Sequence, residues 1–369
     1  MNIYADNAAT TQMSPRAIAA MEVCLRDIYG NPSSLHSVGQ KANKVLTEAR
    51  KTIADCIGAD YREIIFTSGG SEADNQVITS FGGQHIISTV IEHHAILNTL
   101  KRYRDVTLLG VDENGLIDLA ELEKAICSDS KLVSVMFANN EIGTIEPICE
   151  IGRICRQKNI AFHTDAVQAV GHLPINVNRM NIDLLSASAH KFHGPKGVGF
   201  LYARKDTPIN SLINGGGQER GLRAGTENVA GIAAMAEALK ESLENIDQKI
   251  ERTEELRNRL IWGLKEIPDS VLNGDETYRL PGNVNFCFKG VEGEALLLML
   301  DEMGIQASSG SACSSGSNEP SHVLMAIGRE RSLAQGSLRL TIDETFTENQ
   351  IDYIIKSVKQ IVEFMSKRR

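Results

Sequence analysis

The sequence predicts an α/β protein: a parallel or mixed β-sheet covered by helices on both faces, with one large and one smaller domain. Two observations carry this reading. Short apolar or β-branched runs alternate with helical or polar connectors of crossover length, as in "EIIFTS" from Glu63, "HIISTV" from His85, "KLVSVMFA" from Lys131 and "IAFHTDA" from Ile160. A chain of 369 residues also exceeds what one compact core of ordinary size holds.

The elements follow in order. Ser14-Pro15 is a helix start, with serine as N-cap and proline in the first turn. Ile18, Met21, Leu25 and Ile28 then recur at helical spacing, and Gly30 is the expected end. "EIIFTS" runs into Gly69-Gly70-Ser71-Glu72 and a helical stretch, and "DLLSASA" from Asp183 runs into a glycine-rich turn. After about residue 250 the character changes. "IDQKIERTEELRNRLIWGLKEI" reads as a long charged amphipathic helix bridging two domains, followed by strands "NVNFCF" and "SLRLTI" with helix "EALLLMLDEMG" between them. Thr347 and Gln350 form a capping box. Behind it Ile351, Ile354, Ile355, Val358, Ile361, Val362 and Met365 make an apolar stripe, read as core.

Composition narrows the function. Hydrophobic content of 42% and charged content of 23% are those of a soluble globular protein. A net charge of −9 with no basic block argues against direct nucleic-acid binding. No run approaches the length of a membrane span, and "MNIYADNAATT" has no signal-peptide character. The seven cysteines are scattered and contain no CxxC pair, so neither a metal site nor a disulfide framework is expected. The expected setting is the reduced cytoplasm.

Three segments carry chemistry. In "SASAHKFHGPKG", Lys191 follows a strand at its C-terminal lip, where open α/β sheets bind ligands. Ser188 and His190 add phosphate-capable donors from the same turn. In "FHTDAVQ", Asp165 closes a strand; it is either a helix N-cap or an acid that keeps a heteroaromatic nitrogen protonated. In "TSGGSEADN", a strand feeds glycine and serine into a helix N-terminus, a ready anion site that lacks the GK[ST] of a P-loop. A phosphate cup, an acid for a ring nitrogen and a lysine able to form a Schiff base are what a pyridoxal-phosphate enzyme requires.

With these, the stretches "DNAATT", "GNPSSLH", "FTSGGSEADN", "EHHA", "NNEIGTIEP", "HTDAVQ", "SAHKFHGPKG", "GGGQERGLRAGTEN", "EGEALL", "SSGSACSSGS" and "SLRLT" resemble the cysteine desulfurases of the NifS/IscS type. That family lies within the fold-type I pyridoxal-phosphate-dependent transferases. The resemblance implies a large cofactor-binding domain over residues 15–250, with a mostly parallel sheet of the seven-stranded type. It implies a smaller α+β domain from residues 1–14 and 251–369, carrying the cysteine loop 308–317. Lys191 would hold pyridoxal 5'-phosphate and shuttle protons. His93 would stack on its ring and assist acid–base steps, while His94 is a bystander. Asp165 would pair with the ring nitrogen, and Gln168 and Asn140 would contact the ring hydroxyl and the substrate side. Gly70, Ser71, Ser188 and His190 would bind the phosphate, and Thr226 would complete that cup from the other subunit of a homodimer.

Arg339 would grip the carboxylate of L-cysteine, and Asn31 with the "AATT" loop would line the entrance. Cys313 would attack the substrate sulfur, leaving a persulfide for an acceptor protein and releasing alanine. Its glycine- and serine-rich surroundings are expected to let it swing. Two departures stand out. The cup reads Gly70-Ser71 where many relatives have Ala-Thr, and the sequence ends just past its last helix where some relatives carry a longer scaffold-docking tail. Rival readings are a selenocysteine lyase, another class-V aminotransferase-type enzyme, and a non-catalytic docking module. Cys313 argues against an aminotransferase. The presence of Lys191, Asp165 and Cys313 argues against the module.

Overall fold

A computed structural model describes residues 2–309 and 320–367. Cys313 and most of its loop lie outside the described residues. The chain runs β1 (Ile3–Tyr4), α1 (Pro15–Asp27), α2 (Ser37–Ile57), β2 (Ile64–Thr67), α3 (Gly70–Ser80), β3 (His85–Thr89), α4 (His94–Leu100), β4 (Val106–Leu109), α5 (Leu119–Ala125) and β5 (Ser130–Ser134). It continues through α6 (Ile148–Lys158), β6 (Ala161–Asp165), β7 (Leu184–Ser188), β8 (Gly199–Ala203), α7 (Val229–Leu243) and α8 (Ile246–Lys265). The last part comprises β9 (Ser270–Leu272), β10 (Asn283–Phe288), α9 (Gly293–Glu302), β11 (Ile305–Gln306), α10 (His322–Ala326), α11 (Arg331–Ala334), β12 (Ser337–Thr341) and α12 (Glu348–Ser366).

Seven strands form the main sheet in the order β2-β8-β7-β6-β5-β3-β4. Only β8 is antiparallel to its neighbours; the other pairings are parallel. β2, β3, β5, β6 and β7 therefore point the same way, and the loops leaving their C-terminal ends share one edge. Ile64, Phe66, Ile87, Val133, Phe162, Leu185 and Phe200 pack on one face of this sheet, while Ile65, Ile86, Leu132, Leu184 and Leu201 pack on the other. This alternation along each strand is what a sheet covered on both faces requires.

A second core gathers Ile3, Leu256, Leu260, Phe286, Leu296, Leu338, Ile351, Ile354, Val358 and Ile361. Around it lie the antiparallel sheet β12-β10-β9 and the parallel pair β1-β11. The Thr347–Gln350 capping box starts α12 as expected, and α8 packs against α12.

Two local expectations are corrected. α1 ends on Ile28 as C-cap, short of Gly30. Its apolar residues divide: Met21 and Ile28 pack inward beside the buried Ala17 and Cys24, while Ile18 and Leu25 are 42% and 64% exposed. The reason is its neighbour α7, "VAGIAAMAEALKESL", whose small side chains admit a close approach by another small-residue face. Regular pairing in β5 stops at Ser134 and not at Ala138. Val135 and Phe137 still donate to the His163 and Asp165 carbonyls.

Candidate active site

The strand ends converge on one site. β6 ends on Asp165, β7 on Ser188, and β2 runs through Gly69 into α3. Gly69 has φ +151, a conformation that favours glycine, and a β-carbon at Gly70 would lie 2.5 Å from Val167 Cγ2. The first turn of α3 has no side-chain cap, so its N–H groups are left for another acceptor. Ser188 Oγ would be 3.4 Å from a β-carbon on Gly69, which puts Ser188 against the same turn. His190 Nδ1 lies 3.1 Å from Thr10 Oγ1, and burial first, then Lys191 and Lys196, push its pKa down to about 4.

Asp165 is only 6% exposed, and burial pushes its pKa up. The charges of His93 and Lys191 and the N–H of Val167, 3.0 Å from Oδ1, oppose that shift. Behind it lies a buried polar chain. His163 Nδ1 is 2.9 Å from Ser134 Oγ, its Nε2 is 3.0 Å from Ser186 Oγ, and Asp74 Oδ1 stands 3.8 Å away. Burial holds His163 neutral, with a pKa of about 3, and raises that of Asp74 well above the carboxylate range.

His93 caps α4, its Nδ1 accepting the Ala95 N–H at 3.1 Å. In the neutral ring the proton therefore sits on Nε2. His94 instead stacks near His322, ring centroids 4.8 Å apart. Lys191 Nζ donates to Ala8 O at 2.5 Å and Ala9 O at 2.9 Å, and Gln168 Nε2 donates to Ala8 O at 3.0 Å. The "AATT" segment is thus pinned by the lysine and Gln168, a tie its sequence does not announce.

Arg339, on β12, is 2% exposed. Its Nη1 donates to Asn140 O at 3.0 Å and its Nη2 to Asp6 Oδ1 at 2.9 Å, while Nε is buried with no partner among the described residues. Glu141, next to Asn140, accepts the Ser321 hydroxyl; burial raises its pKa to about 7 against the opposing charges of Arg339 and His93. Asn31 and Thr226 are exposed. Asn31 Oδ1 accepts the Ser33 N–H at 2.9 Å, within its own loop. Among the described residues neither is joined to the cluster within one chain. Among the described residues no group of three His, Cys, Asp or Glu could hold a metal, and no helix is long and apolar enough to cross a membrane.

Residues 3–354 match the family described as aminotransferase class-V. The chain is 51% identical over 373 residues to the cysteine desulfurase IscS of Clostridium botulinum, covering 98% of this chain and 94% of that protein. The chain belongs to the cysteine desulfurase branch of the class-V aminotransferase family. It is accordingly a pyridoxal-phosphate-dependent enzyme. Another relative, the cysteine desulfurase IscS of Methanosarcina thermophila, is 47% identical, with 98% of this chain and 92% of that one covered. A solved NifS-like protein superposes with a TM-score of 0.92 at 39% identity, covering 99% of this chain and all (100%) of the other. SspA, solved in complex with cysteine, superposes with a TM-score of 0.83 at 34% identity, covering 94% and 100%.

Burial also leaves a mark on stability. Glu146, 3% exposed with one carboxylate oxygen unpartnered, has its pKa pushed up to about 8. The folded chain keeps this proton above pH values where the unfolded chain has lost it, so stability falls as pH rises from 4.5 toward about 8. Glu146→Gln is expected to lose less stability than the parent between about pH 5 and pH 8, read by thermal melts at both ends.

Proposed function

We propose that the chain takes sulfur from L-cysteine, releases L-alanine and leaves the sulfur as a persulfide on Cys313 for an acceptor protein. The observation that carries this reading is Arg339: a buried guanidinium whose Nε has no partner among the described residues, tied to Asn140 O and close enough, like His93, to act on the Glu141 carboxylate. A carboxylate arriving there meets that donor, a task suited to a planar charged fork. Cysteine then lies with its α-carbon toward Lys191.

The residues fit pyridoxal phosphate. The uncapped turn of α3 at Gly70 and Ser71, with Ser188 and His190, would take the phosphate. Asp165 would take the ring nitrogen, and a proton or positive charge there relieves the burial that raises its pKa. His93 would cover the ring, and Gln168 with Asn140 would meet its hydroxyl and the substrate side. When bound, the cofactor supplies the electron sink that lets the α-proton and the sulfur depart.

Lys191 Nζ provides the attaching amine and, once displaced, the base for the α-proton. The Cys313 thiolate attacks the substrate sulfur: an S–S bond forms and the Cβ–S bond breaks. The electron pair left on Cβ takes a proton, completing the methyl group of alanine. His93 Nε2–H would be the donor, because Nδ1 accepts the Ala95 N–H and leaves the ring proton on Nε2.

The proposed division is a large domain over 15–250 and a small domain from 1–14 and 251–369; Ile3 belongs to the second core, which supports it. The chain would act as a homodimer in the cytoplasm, with Thr226 completing the partner's phosphate site and Asn31 at the entrance. Val23, Leu25, Tyr29 and Leu35, 53%, 64%, 78% and 91% exposed, are apolar surface of the kind a partner covers. The test is holoenzyme with L-cysteine and a reductant. Sulfide and alanine should appear in equal amounts, and alanine formed only from L-selenocysteine would overturn the reading.

A further inference from the structure

Helix α3 does two jobs at once. Its first turn opens the cup at Gly70 and Ser71, and the next residue, Glu72, reaches out to the 210–225 loop. Arg223 Nε meets Glu72 Oε1 at 2.9 Å and Nη2 meets Oε2 at 3.3 Å. The same carboxylate accepts the Ser68 N–H at 2.8 Å, so one side chain ties the strand-to-helix turn and the loop together. One turn further along α3, the buried Gln76 donates from Nε2 to Asn210 O at 3.0 Å and to Leu222 O at 2.9 Å.

The loop is fastened behind as well. Glu219, 6% exposed, takes the Arg50 fork at 2.6 and 2.7 Å and the Phe66 N–H at 3.0 Å. Glu219 and Arg220 have φ of 46° and 59°, backbone that non-glycine residues adopt only when their surroundings fix it. Gln218 Oε1 accepts the Gly225 N–H at 3.1 Å. Three residues beyond Arg223 stands Thr226, its side chain exposed.

We infer that Glu72, Gln76 and Arg223 are positioning residues through which α3, mounting the phosphate cup of its own subunit, also holds the loop that lends Thr226 to the partner's cup. The inference rests on the homodimer reading above. Its signature is directional: cutting the staple in one subunit loosens the cofactor in the other.

The experiment uses holoenzyme heterodimers in which one chain carries Lys191→Ala, so that a single site per dimer holds the cofactor covalently. The staple is cut by Glu72→Gln with Arg223→Met, which leaves the summed charge beside the cup unchanged. Placed on the Lys191→Ala chain, this change should speed cofactor loss from the intact site about tenfold, the scale of lost charge-assisted hydrogen bonds. Placed on the intact chain, it should change that rate by less than about twofold, a split that a merely structural role does not produce. Gln76→Met, a second variant without charge change, should follow the same pattern more weakly. Equal rates in the two arrangements, or the reverse order, overturn the inference. Thr226→Ala in the same two arrangements separates the layers. If it acts only from the Lys191→Ala chain while the staple variants do not, the inference alone fails. If it does not act across the dimer, the shared-cup reading fails and takes the inference with it.

Discussion

Replacing Cys313 by alanine is expected to leave the yellow cofactor band in place, let L-cysteine bind, and reduce sulfide release under reductant to background. Burial raises the thiol pKa of Cys56 and Cys287 to about 11 and of Cys155 to about 12, which leaves them as thiols at neutral pH. Cys24 and Cys149 are raised for the same reason. Cys127 is the exception, exposed and lowered by the Ser130 hydroxyl, but it sits between α5 and β5, 3.5 Å from His85 and away from the strand ends that form the site.

The Cys313 segment, by contrast, is rooted beside Arg339 and Glu141. On one side Ser308 and Arg339 exchange backbone hydrogen bonds at 3.2 and 2.6 Å. On the other, the Ser321 hydroxyl donates to Glu141 and caps α10. Both roots lie beside the guanidinium proposed as the carboxylate grip, so the span between them would start and end next to an amino acid held there. Cys127→Ala is the control and should release sulfide at the parent rate. Full turnover by Cys313→Ala would sink the persulfide assignment.

What could be read from sequence is what depends on neighbours along the chain. The strand ends carrying Asp165 and Ser188, the glycine turn into α3, the Ser14 cap and the Thr347 capping box all have local causes: alternation, a turn residue, a hydroxyl one turn before the N–H it accepts. The pairs that hold the site in register have none. Arg223 finds Glu72 across 151 positions and Arg50 finds Glu219 across 169, and nothing in either local pattern marks the partner. Asp74 and His163 lie inside the quoted motifs "SEADN" and "HTDAVQ", yet their role as a buried chain behind Asp165 needs the packing of α3 over β6 and β7. Which residues of α1 turn inward is hidden from the sequence for the same reason. Periodicity shows that a helix has an apolar side, and only the small side chains of α7 decide which side goes in.

Lys191→Ala is expected to abolish the yellow band and lower turnover by at least about 10⁴, because covalent attachment and a positioned base are lost together. The structure supplies the competing explanation that the experiment must exclude. Lys191 Nζ also donates to Ala8 O and Ala9 O, so its removal leaves those carbonyls short of a donor and loosens the 6–12 segment. Other ties remain to hold that segment: Gln168 to Ala8 O at 3.0 Å, Ala8 N to Thr341 Oγ1 at 2.8 Å, and Thr11 Oγ1 to His190 O at 3.0 Å. Lys191→Arg resolves the two. Arginine keeps the positive charge and the donors toward Ala8 and Ala9 but lacks an amine that can form the covalent link. It should therefore hold the segment, measured as amide exchange at residues 8–11 close to the parent, and still show no band and no mass increase after borohydride reduction in the presence of cofactor. A yellow, reducible Lys191→Arg protein would move the attachment to another lysine. A colourless one with the segment intact ties the chemistry to Nζ itself.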